Sequence, residues 1–296
     1  MYDHFLIPVD GSDEATHAAR CGLELARAFD ATVDVLYVVE RRTLRLTETA
    51  AERERLRERG EEALAGIEEL ASELGHPVTT ELTEGKPAVR IGEYAAERNA
   101  DLVVIGRQGT TGLGKRLLGG VTEGVLYSSD VPVFVVPDGE PTVELDYARI
   151  LVPTDGSENA EAATPYGAAV ARNYGSEVHV LNVVDLQAAG GAFSAGGLER
   201  EFVERLEAEG REAVERVADE VADADPDLAV HTAVERTTSF EGAAAGVREY
   251  VAENDVDLVV MGSRGRSNLG RGLLGSVAST VLRTVDVPVL VVKRAS

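Results

Sequence analysis

The sequence predicts an α/β protein made of two tandem copies of one domain, each a five-stranded parallel sheet with helices on both faces. Three observations predict it. Short Val/Ile/Leu runs without polar alternation recur between helix-like segments, the pattern of buried strands joined by right-handed crossovers. A glycine-rich stretch, GSRGRSNLGRGLLGS at 262–276, has a weaker copy, GRQGTTGLGKRLLGG at 106–120. The rest of the chain repeats as well: FLIPVDGSDEATHAARCGLELAR at 5–27 aligns with ILVPTDGSENAEAATPYGAAVAR at 150–172.

In the first copy the pattern places strands at 4–9, 32–39, 77–83, 101–105 and 132–136. Helices are expected at 13–29, 45–74, 87–99 and 119–129. The charged run over 45–74 mixes both signs at helical spacing, which fits a solvated amphipathic helix. The two copies are offset by 145 residues early in the domain and by 156 around the glycine stretch. The second copy thus carries an 11-residue net insertion, to which GGAFSAGG at 190–197 contributes as a surface loop. A period this long matches one domain per copy and not a solenoid repeat. DGEPTVELDY at 138–147 is short and polar and reads as a linker between domains at 1–137 and 148–296.

Each copy is long enough to bury its own core. No run of 18 apolar residues is present, so no membrane partner is expected. The segment MYDHFLIPVD begins a strand and lacks a signal-peptide layout. Cys21 is the only cysteine, which excludes an internal disulfide and fits a reducing cytoplasm. The formal net charge is −23, from 52 acidic and 29 basic residues. Only Lys86, Lys115 and Lys293 are lysines. Such a surface repels nucleic acid and suits a salt-rich, halophilic cytosol that screens its self-repulsion.

The glycine stretches carry the chemistry. Each follows an apolar run, DLVVI at 101–105 or DLVVM at 257–261, and leads into a helix and a closing strand, VPVFVV at 131–136 or VPVLVV at 287–292. Glycines there let main-chain N–H groups approach a ligand, and a helix start offers unpaired amides to phosphate. Asp10 and Asp155 follow the first strand of each copy. A carboxylate there can accept from a ribose hydroxyl or exocyclic amine, or simply cap the next helix. Arg264 and Arg266 can meet phosphates.

The spacing G-x2-G-x9-G-[ST], with the early Asp, resembles the nucleotide-binding branch of the universal stress protein family. The resemblance covers nearly the whole chain, twice. It is complete in the second copy, with Gly262, Gly265, Gly275 and Ser276. The first copy has Gly106, Gly109 and Gly119, then Gly120 where Ser or Thr is expected. The resemblance implies Rossmann-like domains of strand order 3-2-1-4-5. Ligands then sit beyond the strand ends at the reversal between strands 1 and 4. It further implies contacts from Pro153, Thr154, Asp155, Val183, Met261 and Val277, and from Pro8, Val9, Asp10, Val38, Val121 and Thr122. Val183 and Val38 would pack on a base. Ala278 stands where the first copy has Thr122, so each copy keeps one of two expected hydroxyls.

Other motifs lead elsewhere. Gly109–Lys115 nearly matches a phosphate-binding P-loop, but Arg116 replaces the Mg-binding hydroxyl residue. His4, His17, His76, His179 and His231 show no metal-ligand spacing, and none is assigned to a metal. His179 alternates with Val178 and Val180, which suggests a structural role. No acid–base pair or nucleophilic triad accompanies the loops.

The sequence therefore points to a cytoplasmic ATP-binding regulatory protein, with ATP alone or with Mg at two adenine-nucleotide sites. The second copy is the better match. One alternative is a protein-interaction module with vestigial sites, and another is a slow ATPase. The apolar closing strands, each with a proline near its start, are expected to pair with each other as an internal pseudo-dimer. A further homodimer is compatible with this.

Overall fold

The computed structural model describes residues 2–40, 50–109, 117–139, 146–190, 200–266 and 274–294. The chain divides into two compact units, Met1–Leu145 and Asp146–Ser296.

In the first unit β1 (His4–Val9), α1 (Asp13–Phe29), β2 (Thr32–Glu40), α2 (Ala50–Glu73) and β3 (Thr79–Gly85) are followed by α3 (Pro87–Glu97), β4 (Leu102–Gly106), α4 (Gly120–Ser128) and β5 (Val133–Val136). The strands are parallel in the order β3-β2-β1-β4-β5. α1 packs with α2 and α3 with α4, and both α1 and α3 also pack on the strands. β1 and β4 are accordingly buried almost throughout, each large apolar side chain contributing about 1.5–3 kcal/mol.

The second unit runs β6 (Arg149–Pro153), α5 (Glu158–Glu161), α6 (Thr164–Tyr174), β7 (Glu177–Asp185), α7 (Leu186–Gly190), α8 (Arg200–Ala224), β8 (Val230–Thr237), α9 (Ala243–Glu253), β9 (Leu258–Gly262), α10 (Ser276–Thr284) and β10 (Val289–Val292). Its strand order, β8-β7-β6-β9-β10, is again 3-2-1-4-5.

Two differences from the sequence reading have local causes. The third strand starts at Thr79, after Pro77, and runs on to Gly85, because its register with β2 continues from Asp34–Thr79 to Glu40–Gly85. It and β8 stand at the β3 and β8 ends of their orders, paired on one side only, and are half exposed, unlike the strands buried on both faces. The helix that is continuous as α1 is broken into α5 and α6 in the second unit. Pro165 lies in the first turn of α6; its missing N–H and its ring end the preceding turn. Arg20 occupies the aligned place in α1 and leaves that helix whole.

Several expectations fall outside the described residues: the helix start at 45–49, most of the P-loop near-match with Lys115 and Arg116, the loop at 191–197, and the linker over 140–145. Among the described residues no helix is long and apolar enough to cross a membrane.

Candidate functional site

The reversal in strand order falls between β1 and β4, and between β6 and β9. Parallel pairing of β1 with β4 and of β6 with β9 brings the residues after their carboxyl ends together. Asp10 thus meets the loop from Gly106, and Asp155 the loop from Gly262.

Asp155 is a clasp between two loops. Its Oδ1 accepts from the N–H of Ser157 at 3.0 Å and from the Ser157 hydroxyl at 2.6 Å. Ser157 in turn accepts from Ala160 N at 3.3 Å and caps α5. The Oδ2 of Asp155 accepts from Arg266 N at 2.7 Å, which ties in the glycine loop. A carboxylate has about four acceptor positions, so Oδ2 retains one for a ligand donor. Asp10 repeats half of this geometry, accepting from Ser12 N at 3.0 Å and Ser12 Oγ at 2.5 Å. Gly11 and Gly156, with φ of 79° and 78°, make the turns in both copies. The capping reading of the aspartates is thus corrected: Ser12 and Ser157 are the helix caps, and each aspartate instead makes the turn that holds its cap serine.

The motif glycines divide by what surrounds them. A Cβ on Gly262 would collide with the backbone of Asn159 and Ala160, and one on Gly106 would press on Gln108 O and Glu14 O. These first glycines let the loop lie on the start of α1 in the first unit and on α5 in the second. A Cβ on Gly265 or Gly109 would collide with the carboxylate of Asp155 or Asp10. Gly275 and Gly119 sit against the opposite limb of their own loops, and their N–H groups donate to Ser263 O and Arg107 O at 2.8 Å.

Gly119 and Gly275 are also the N-caps of α4 and α10, and neither helix has a side-chain cap. The first bonds within these helices are Glu123 N to Gly119 O at 2.8 Å and Ser279 N to Gly275 O at 2.9 Å. Three amides per helix, at 120–122 and 276–278, precede them and have no acceptor within the helix. Ser276, Gly120 and Val121 are exposed there, with Val277 half-buried. Thr122 is buried, and its hydroxyl donates to Gly106 O at 2.8 Å. Its donor is spent on the loop, and Ala278 takes that place in the second unit.

The second unit has a cleft of about 140 Å³ lined by Asp155, Asn182, Val183, Asp185, Gly210 and Arg266. Three residues named from sequence, Asp155, Val183 and Arg266, line it, but the Val183 side chain packs against Gly246 of α9, on the opposite face of β7 from Asn182, which packs against Gly210 of α8. Arg266 lies 3.9 Å from Glu209, so its charge faces the cleft wall. Thr154 is buried behind the site, with its Oγ1 accepting from Gly156 N at 3.0 Å. Pro153 ends β6, and Met261 is buried in β9. In the first unit Pro8 and Val9 end β1, and Val38 is half-buried.

Sequence reasoning missed Asn182. Its side-chain amide donates to Thr154 O at 2.8 Å and fixes the turn that holds Asp155. The aligned residue in the first unit is Tyr37. That ring packs against Gly60 of α2, and its hydroxyl is pushed to a higher pKa by burial and then by the charge of Asp10. Reading the two copies column by column would have exposed this difference. A larger depression of about 300 Å³ lies elsewhere in the second unit, between α8 and β8. It holds no residue named from sequence, and its Glu207 is paired with Arg211 and Arg236. The smaller cleft has the convergent chemistry.

The model of the universal stress protein family matches residues 1–137 and 146–293. A universal stress protein of Methanocaldococcus jannaschii is 40% identical over 142 residues, 46% of this chain and 82% of the relative. One of Mycolicibacterium smegmatis is 28% identical over 300 residues, 97% of this chain and 96% of the relative. The crystal structure of a universal stress protein from Archaeoglobus fulgidus is similar over 100% of this chain and 98% of that one, with a TM-score of 0.75 and 25% identity.

Proposed function

This chain belongs to the universal stress protein family, and from that premise we propose that it is a cytoplasmic regulatory protein that binds adenine nucleotide, ATP first, with the second unit the stronger site. The observation that carries this is the meeting of Asp155, Val183 and Arg266 in one cleft, on the same crevice as the uncapped start of α10. The amides of 276–278 and the Ser276 hydroxyl would hold phosphates, and Arg266 would add charge. Asp155 would use its remaining acceptor position on the nucleoside, and the main chain of Val183 would face the base, since its side chain packs against Gly246 of α9. Mg, if bound, would come with the phosphates.

Binding without rapid turnover fits the engagement of the cleft carboxylates. Asp155 clasps two loops, Asp185 accepts from Gln187 N and Ala188 N at the start of α7, and Glu209 faces Arg266. Each of these carboxylates already has a structural partner, which supports binding over general-base catalysis. A slow ATPase is the alternative that steady multiple turnovers would favour.

The first unit supports a second reading, an interaction module with a vestigial site, because Tyr37 and Gly120 replace Asn182 and Ser276. The internal pairing of the two closing strands also remains a proposal, resting on their apolar sequences. Engineered cysteine pairs across those strands would cross-link if it is right.

The deciding experiment is calorimetric titration of ATP into the nucleotide-free chain, together with mass spectrometry of whatever co-purifies. Saturable binding that weakens in Ser276→Gly supports the proposal. An absence of binding at millimolar ATP leaves the interaction module.

A further inference from the structure

Away from the glycine-loop crevice, the second unit brings three ligand-type side chains onto one face of its sheet. Glu177 and His179 are two residues apart on β7 and so point to the same side. His231 on β8 is the register partner of His179. One ligand atom from each of the three lies within 4.8 Å of the others. His179 Nε2 is 3.9 Å from Glu177 Oε2, and the two imidazole rings are 5.0 Å apart between centroids.

We propose that Glu177, His179 and His231 form a binding site for a divalent transition-metal ion, with zinc the best-fitting ion. Two imidazoles and one carboxylate suit zinc and its first-row neighbours, whereas magnesium and calcium prefer oxygen alone. Three protein ligands leave a fourth position for water or a partner's side chain.

His179 carries the proposal. It is only 8% exposed, and its buried Nε2 has no hydrogen-bond partner. Its other ring nitrogen, Nδ1, is 2.9 Å from the Tyr250 hydroxyl on α9. With Nδ1–H donating to that oxygen, Nε2 holds a lone pair directed among the three groups. Metal-bound histidines are oriented by such an outer hydrogen bond. Burial lowers the pKa of His179; His231 and Arg149 act the same way, against Glu177. Ligand atoms around tetrahedral zinc are about 3.3 Å apart. Glu177 and His231 are exposed and can close the gap by side-chain rotation.

The first unit supplies an internal control. Asp34 and Tyr94 occupy the places of His179 and Tyr250, and the register partner of Asp34 is Thr79. Asp34 is buried, and the chain itself satisfies it: Arg98 Nε lies at 2.9 Å, the Tyr94 hydroxyl at 3.3 Å and His4 Nε2 at 3.2 Å. In the second unit the tyrosine is kept, but the groups in place of Arg98 and His4 are turned elsewhere. Asn254 replaces Arg98 and donates to Tyr250 O at 3.0 Å. Arg149 replaces His4 and stands 3.7 Å from both Glu177 and Asp255. A metal that takes Glu177 leaves Arg149 its second carboxylate.

The test uses the full chain, stripped with a chelator and kept in high potassium salt to screen loose binding to surface carboxylates. Zn²⁺ is titrated by calorimetry, and Co²⁺ is followed by visible absorption as a reporter of geometry. The expected result is one equivalent of Zn²⁺ and a four-coordinate Co²⁺ spectrum. Tyr250→Phe should weaken binding about 10- to 100-fold, the usual worth of an outer-shell partner. His231→Gln and Glu177→Gln should each weaken it by more than that. Both residues are exposed, so these variants stay informative even if His179→Gln fails to fold. His76→Gln should leave binding unchanged. Sub-stoichiometric binding, or a His231→Gln variant that binds like the parent, would overturn the proposal.

Discussion

The carboxylate of Asp155 lies where the Cβ of any residue but glycine at 265 would be. The same carboxylate accepts from the next N–H, that of Arg266. Aspartate and glycine are thus one fitted pair: the acid fixes the loop, and the missing side chain admits the acid.

Gly265→Ala should therefore break the clasp. The cost expected for such an overpacked contact is about 1–3 kcal/mol, with loss of nucleotide binding in the second unit. Adding Asp155→Ala removes the clash and should recover part of the stability, though not the binding. Thermal melts of the two singles and the double variant measure this coupling, and additive losses would contradict it.

Residue 120 offers the converse. A Cβ there meets nothing within 4 Å, so Gly120→Ser fits without rearrangement. Its hydroxyl should strengthen ATP binding in the first unit, and Ser276→Gly should weaken it in the second. A hydrogen bond to a charged phosphate is worth about 1.5–3 kcal/mol, or roughly ten-fold or more in affinity. Site-resolved titration checks both; an unchanged second site in Ser276→Gly rules out its phosphate contact.

Cys21 is buried on α1, and burial, reinforced by Glu24, pushes its thiol up from 9.0 to about 12. Alkylation at pH 8 should be slow in the native protein and should follow global unfolding. The raised value means that the folded state holds this proton more tightly. The associated stability is complete below pH 9 and is lost as the pH rises toward 12. Fast labelling under native conditions would show that the site opens locally.

Salt should stabilise the chain. With 52 carboxylates against 29 basic residues, self-repulsion opposes compaction. The screening length falls from about 10 Å at 0.1 M to about 3 Å at 1 M. The melting temperature of nucleotide-free protein should rise markedly from low to molar KCl. A flat or falling trend would leave ordinary acidity as the explanation.

The fold was legible because buried parallel strands write themselves as short apolar runs. β1 and α1 begin and end where the pattern of residues 4–29 places them. The break at Pro165 was equally written in the sequence, but an alignment of two copies hides it when one copy is continuous. The glycine loop and its aspartates were legible as a motif. The division of labour among the glycines was not, because it depends on which backbone passes behind each one. His179 and His231 were unreadable as a pair: their proximity comes from the register of β7 with β8, and register leaves no fixed spacing in the chain.

Gly106 and Gly262 lie against the start of a neighbouring helix, and this changes what a glycine signature can reveal. Those two positions would demand glycine even in a domain that never meets a nucleotide, since a larger residue would pry the loop off its support. The glycine pattern thus answers to packing and carries little news about cargo. The open positions at 120 and 276, where architecture tolerates a choice, are where a chain of this kind declares what it holds.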